Sequence, residues 1–259
     1  MHKHEREDLE GCIKELCLSR ILKEYSVMAD EARKESSSYE EFLLGVLRQE
    51  CGDRRQKRIA RYLKESRLPL EKTLDSFEMK RLPAKALHQA KTLLQGGFID
   101  RHENLLVFGN PGSGKTHLVS GIGQELIKKD KRIYFTTCAL LLQDLLRAKK
   151  ELKLAKFLKK LSGFGGIIVD DIGYVQEAKE EMEVLFTFLA ERYERGSVII
   201  TSNLPFSKWD NIFKDQMMTT AAIDRIVHHS VILELNITSY RIESAKKNGP
   251  GTQPKEKGR

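Results

Sequence analysis

In "GNPGSGKTH", residues 109–117, Gly109, Gly114, Lys115 and Thr116 follow the order G-x-x-x-x-G-K-T. The chemistry this spacing serves is phosphate binding. Glycines let consecutive backbone N–H groups turn towards anionic oxygens, and a helix starting at the lysine adds its partial positive end. The candidate nucleotide-binding residues are therefore Gly109, Asn110, Pro111, Gly112, Ser113, Gly114, Lys115, Thr116 and His117. Lys115 is placed to reach the β- and γ-phosphates, and the Thr116 hydroxyl to complete a Mg²⁺ shell.

A second group of residues could act on what the first one binds. In "GIIVDDIG" an apolar run ends in Asp170 and Asp171. With Thr116, Asp170 makes a candidate metal site. Asp171, turned towards the γ-phosphate, is the candidate group that orients or deprotonates water. One carboxylate would suit binding alone, and two adjacent ones suggest hydrolysis. Asn203 closes the run "SVIITSN", where its amide could hold the attacking water or merely begin a turn before Leu204-Pro205. Arg225 in "DRIVHHS" could neutralise charge on a γ-phosphate, or form a surface salt bridge. His228 and His229 have no third ligand at metal spacing and read as surface or cap residues.

These groups need elements to hold them. From Asn104 onwards, "NLLVFG", "RIYFTT", "GIIVDD", "SVIITSN" and "VILEL" alternate with helical stretches. Four of the runs are unbroken, as in strands covered on both faces, which predicts an α/β fold with a parallel five-stranded sheet. Residues 1–70 read as a small helical domain with three helices. Leu9, Ile13 and Leu16 keep helical spacing in the first. Ser38 and Glu41 form a capping-box pattern opening the second, and "DRRQKRIARYLKESR" is a basic third, ended by Pro69. Residues 71–103 read as a linker with a helix near Pro83 to Leu94 stopped by Gly96 and Gly97, residues 104–245 as the nucleotide-binding domain, and 246–259 as a disordered basic tail.

Composition narrows the function classes. The chain has 259 residues, and no apolar run approaches the roughly 18 residues of a membrane span. The charged start "MHKHEREDLE" has no apolar core of a secretory signal, so a cytoplasmic protein without a membrane partner is expected. Cys12, Cys17, Cys51 and Cys138 form no C-x-x-C pair and read as buried free thiols. The net charge of +8 favours a polyanionic partner. Residues 140–161 carry seven basic and two acidic side chains. Lys149, Lys153, Lys156 and Lys160 would fall within about 60° of one helix, but Leu142, Leu145 and Leu146 project to the same side. A break near Lys149 to Glu151 is therefore expected, with a short basic helix beyond it. These lysines with Lys150, and Arg54, Arg58 and Arg61 in the helical domain, are the candidate DNA-binding residues. A solvated face stays open as the alternative for both groups, and a protein-docking face for the arginines. With no aromatic-rich platform for single strands, duplex phosphates are the expected target.

Taken together, these stretches resemble the AAA+ ATPases of the initiator and helicase-loader branch and, within it, the IstB-like helpers encoded by bacterial insertion sequences. The resemblance runs from about Ser38 to Arg241 and is carried by "LLGVLRQE", "RLPLEKTLDSF", "NLLVFGNPGSGKTHL", "GIIVDDIGYV", "VIITSNLPFSKW", "AAIDRIVHHS" and "SYR". It implies ATP and Mg²⁺ as cofactors. It matches Lys115 and Thr116 to Walker A, Asp170 and Asp171 to Walker B, Asn203 to sensor 1, and Arg225 to an arginine finger acting on a neighbouring subunit. Asp171 stands where most such enzymes carry Glu. Only 24 residues follow Leu235, so no full C-terminal lid fits and a sensor role for Arg241 is doubtful. "TLDSF", residues 73–77, matches a segment beside the adenine. The implied activity is a DNA- and oligomer-stimulated ATPase that oligomerises on double-stranded DNA and activates an IstA-type transposase in transposition. The alternatives are a DnaC-type helicase loader and a small-molecule kinase, the latter disfavoured by the basic stretches.

Overall fold

A computed structural model describes residues 3–173, 179–205, 208–209, 216–235, 237 and 239, without the side chains of 216–219. The expected tail, the lid question and Arg241 lie outside the described residues. The chain divides into two compact units, Met1–Arg61 and Tyr62–Arg259. The division falls inside a helix, ahead of the boundary expected at residue 70.

The first unit has three helices, but not those read from the sequence. They are α1 (Lys3–Glu15), α2 (Ser19–Glu35) and α3 (Tyr39–Ser66). The stretches read as second and third helices form one continuous α3. Gly52 costs about 1 kcal/mol in a helix interior, and the good helix formers around it tolerate that. The capping box at its start is present: Glu41 N donates to Ser38 Oγ (3.2 Å) and Ser38 N to Glu41 Oε2 (2.8 Å). The overlooked helix is α2, whose Ile21 joins Ile13 and Val46 in a small core with Tyr25, Met28 and Phe42. The thiols are free, as expected, but only Cys138 is buried. Cys12, Cys17 and Cys51 are exposed on the helical unit.

In the second unit, the segment after α3 leads to α4 (Ala84–Leu93) and α5 (Gly97–Asp100). Gly97 opens α5 instead of stopping a helix, and the turn falls at Gly96, whose φ of 85° suits glycine. Then follow β1 (Asn104–Gly109), α6 (Lys115–Lys128), β2 (Ile133–Thr137), α7 (Cys138–Lys150), α8 (Leu154–Ser162), β3 (Gly166–Ile172), α9 (Lys179–Arg192), β4 (Ser197–Ser202), α10 (Gln216–Val227) and β5 (Ser230–Leu235).

The sheet is the expected one: five parallel strands in the order β2-β3-β4-β1-β5. Leu118, Val119, Ile122, Leu126 and Ile127 of α6 are buried on the sheet. Leu106, Ile167, Val169 and Ile200 pack in the other core with α7, α9 and α10. With both faces covered, the inner strands carry continuous apolar runs, whereas "VILEL", which contains Glu234, forms the edge strand β5. This order places the carboxyl ends of β3, β4 and β1 side by side, where open α/β sheets bind ligands.

Candidate nucleotide-binding site

The phosphate loop leaves β1 at Gly109 and enters α6 through Gly114. Gly112 and Gly114 have φ of 78° and 89°, values open to glycine at little cost. A Cβ at Gly114 would stand 2.9 Å from Phe77 Cε2, so the loop also needs glycine to pass the "TLDSF" segment. That segment and the residues just before it are tied to α6. His117 Nε2 donates to the Thr73 carbonyl (2.8 Å), and the His117 ring meets Phe77 edge-on at 5.3 Å. Gln124 Nε2 reaches the carbonyls of Pro69 and Lys72, both at 3.2 Å. Gly121, beside Leu74, lets the segment lie flat, since a Cβ there would be 2.7 Å from Leu74 Cδ2.

A cleft of about 490 Å³ opens between this segment and the strand ends, large enough for a nucleotide. Its lining includes Phe77, Lys115, Thr116, Asp171, Asn203 and Ile237. Lys115 Nζ donates to the carbonyls of Gly109 (2.7 Å) and Asn110 (3.1 Å), so its ammonium stands at the mouth of the loop. Thr116 Oγ1 donates to Asp170 Oδ1 at 3.0 Å, which joins the two candidate metal-site residues. A hydroxyl and a carboxylate are hard oxygen ligands, the chemistry that fits Mg²⁺. Burial, and then the neighbouring Asp170 charge, push the Asp171 carboxyl above the ordinary aspartate range, partly offset by Lys115. The candidate residues at the start of α6, at the end of β3 and just beyond β4 therefore meet in one place. Arg225 does not join them. It lies in α10, its guanidinium 4.6 Å from the centre of the Phe186 ring of α9, outside the lining of this cleft.

A family model described as IstB-like ATP binding protein matches residues 11–248. The chain belongs to the IstB-like ATP-binding proteins. It is similar to an insertion-sequence ATP-binding protein of Sinorhizobium fredii, with 39% identity over 90% of this chain and 78% of the relative. It is also similar to the insertion sequence IS21 ATP-binding protein of Pseudomonas aeruginosa, with 35% identity over 91% of each. Among solved structures, the DnaC helicase loader aligns with a TM-score of 0.55 and 22% identity over 69% of this chain and 99% of that one, a likeness of fold. This IstB-like chain thus binds ATP on an AAA+ P-loop fold.

The expected break in the basic stretch is present. α7 ends at Lys150 and α8 begins at Leu154, with Leu152 at φ 56° between them. Leu154, Phe157, Leu158 and Leu161 of α8 pack on the core, which leaves Lys156 and Lys160 exposed. Lys150 is exposed too. Two of the stripe's lysines are engaged within the fold: Lys149 pairs with Glu183 (3.0 Å) and Lys153 with Glu151 (2.9 Å). Arg54 is exposed and donates to Glu50 Oε1 (2.8 Å) and the Cys17 carbonyl (2.9 Å). Arg58 is half-buried and Arg61 exposed, and both have interactions of their own. His228 and His229 are exposed and their rings meet edge-on, and among the described residues no metal-binding cluster occurs. Also among the described residues, no helix is long and apolar enough to cross a membrane.

The sequence reading missed Thr201 and Gln124. Each has polar neighbours in its own element and does not stand out in the sequence, and only the tertiary fold reveals what it holds.

Proposed function

We propose that this IstB-like protein is an ATP-hydrolysing, DNA-binding assembly factor. ATP with Mg²⁺ binds in the cleft, the protein oligomerises on double-stranded DNA, and the assembly activates a partner transposase. The work is cytoplasmic. The observation that carries the reading is the convergence of Lys115, Thr116, Asp171 and Asn203 on one cleft, with Asp170 bonded to Thr116. In this reading Thr116 and Asp170 would hold Mg²⁺, which would supply positive charge against the phosphates. Lys115 exchanges its loop carbonyls for phosphate oxygens, and Asn203 and Asp171 orient the attacking water. The family's association with insertion sequences supports the transposase partner. Arg225 lies outside the cleft of its own chain, which supports a role on a neighbour's nucleotide.

The test is steady-state ATP turnover with no DNA, single-stranded DNA and duplex DNA, alongside pull-downs with the transposase and with a replicative helicase. Duplex-stimulated turnover and transposase capture are expected. Single-strand preference with helicase capture would instead make it a DnaC-type loader, and phosphorylation of a metabolite without DNA dependence would make it a kinase.

A further inference from the structure

Strand β3 should not present two neighbouring carboxylates to one site, because successive residues of a regular strand face opposite sides of the sheet. The pairing with β4 shows how it does so. Val169 pairs with Ile200 and Ile172 with Ser202, so β3 spends one more residue than β4 over this interval. Asp170 and Asp171 together oppose Thr201, which is a β-bulge. Asp171 takes the left-handed φ of 65°, which is uncommon for a residue other than glycine, although aspartate enters this region more readily than most.

One side chain fixes it. Thr201, 1% exposed, uses its hydroxyl twice. It accepts the Asp171 backbone N–H at 2.8 Å and donates to Asp170 Oδ1 at 2.6 Å. The first bond satisfies the amide that the bulge takes out of the ladder. The second sets the rotation of Asp170, whose same oxygen also receives Thr116 Oγ1. We propose that Thr201 is the positioning residue of this site: its hydroxyl holds the bulge that sends Asp170 to Thr116 and Asp171 into the cleft. Without the hydroxyl, the Asp171 amide faces a methyl group and the bulge loses its side-chain anchor. The proposal rests on the ATPase reading for its consequence in turnover, and on geometry alone for its consequence in metal-assisted nucleotide binding.

The test compares the full chain carrying Thr201→Val, Thr201→Ala or Thr201→Ser. A fluorescent ATP analogue is titrated in EDTA and in Mg²⁺, and steady-state turnover is measured with duplex DNA. Val keeps the volume and removes the hydroxyl; Ala serves if Val fails to fold, as judged by its thermal transition. In both, affinity in EDTA stays near wild type and the Mg²⁺-dependent gain in affinity falls severalfold. Turnover drops by about tenfold or more in kcat, and the KM for ATP rises in step with the lost Mg²⁺-dependent affinity, as expected where chemistry is slow relative to dissociation. Ser, which keeps the hydroxyl, restores both. Wild-type turnover and Mg²⁺ gain in the Val variant would overturn the proposal. So would a Ser variant as impaired as Val, which would assign the effect to the methyl group, and so would an equal loss in EDTA and Mg²⁺. If the wild-type chain itself does not hydrolyse ATP, the hydrolytic reading fails, and the Mg²⁺ comparison still decides on Thr201.

Discussion

In the proposed function, the step from binding to hydrolysis depends on Asp171. It shares the cleft lining with Asn203 and Lys115, and its backbone is held in the left-handed region. Asp171→Asn keeps the shape and removes the negative charge. ATP affinity should stay within a few-fold of wild type while turnover falls by about 10²-fold, within the usual range for losing a general base. The DNA-bound assembly should live longer, which a filter-binding or mass-photometry time course would show. Unchanged turnover would move the catalytic role to another group. The sequence made most of this site legible because phosphate chemistry tolerates few alternatives: the G-x-x-x-x-G-K-T order and the paired aspartates each read from composition and spacing. What it hid was how two adjacent aspartates reach one side of a strand. That depends on a bulge and on Thr201, and a threonine in a β-rich run looks like any other strand residue.

At the scale of elements, the helical unit depends on a buried carboxylate. Glu50 of α3, 3% exposed, accepts the backbone N–H groups of Arg20 (2.8 Å) and Ile21 (3.2 Å) at the start of α2, and pairs with Arg54. It therefore caps a helix from another helix, where a negative charge is favoured. Burial raises its pKa, but the bonds from Arg54, Ile21 and Arg20 outweigh that and hold it below the ordinary 4.5. A lowered carboxyl pKa stabilises the fold fully above the unfolded value, and the contribution is lost as pH falls through the lower native one. Glu50→Gln should cost about 1–3 kcal/mol near neutral pH. The variant should also show less loss of stability on acidification below 4.5 than wild type, measured by hydrogen exchange at the Arg20 and Ile21 amides. The same carboxylate engages Arg54, read from the sequence as a DNA contact, whose side chain stays half exposed. This arrangement also shows why α2 escaped notice: its cap comes from thirty residues away, and no local signal marks its start. The α7–α8 break was legible, because leucines and lysines claimed the same side of a helix. All four lysines of that stripe are exposed, but Lys149 and Lys153 pair with Glu183 and Glu151, which makes Lys156 and Lys160 the cleaner probes. Reversing both to Glu should flatten the log–log salt dependence of duplex binding by about 0.9 for each DNA phosphate that is no longer neutralised, leaving ATP affinity intact. An unaltered slope would mark them as a solvated face.

The whole molecule carries a phosphate loop and an arginine candidate in different places. Arg225 packs on Phe186 rather than in the cleft that contains Lys115, although both belong to the same compact unit. A guanidinium that neutralises a γ-phosphate is worth about 10³ to 10⁵ in rate only when it touches that phosphate. The arrangement is productive if the nucleotide of one subunit meets Arg225 of the next. Arg225→Ala should then bind ATP nearly as wild type does and fail to hydrolyse it, whereas Lys115→Ala should fail at the loop. Each variant is inactive alone, yet each keeps the half that the other lacks. In a mixture, a sound loop on one subunit can face a sound Arg225 on its neighbour, so a fraction of composite sites is complete. Turnover should reappear on mixing in the presence of duplex DNA, and should rise more steeply than linearly with protein concentration because assembly precedes chemistry. A mixture as inactive as its components, in oligomers shown by crosslinking to contain both, would falsify the trans role and leave Arg225 a packing residue against α9.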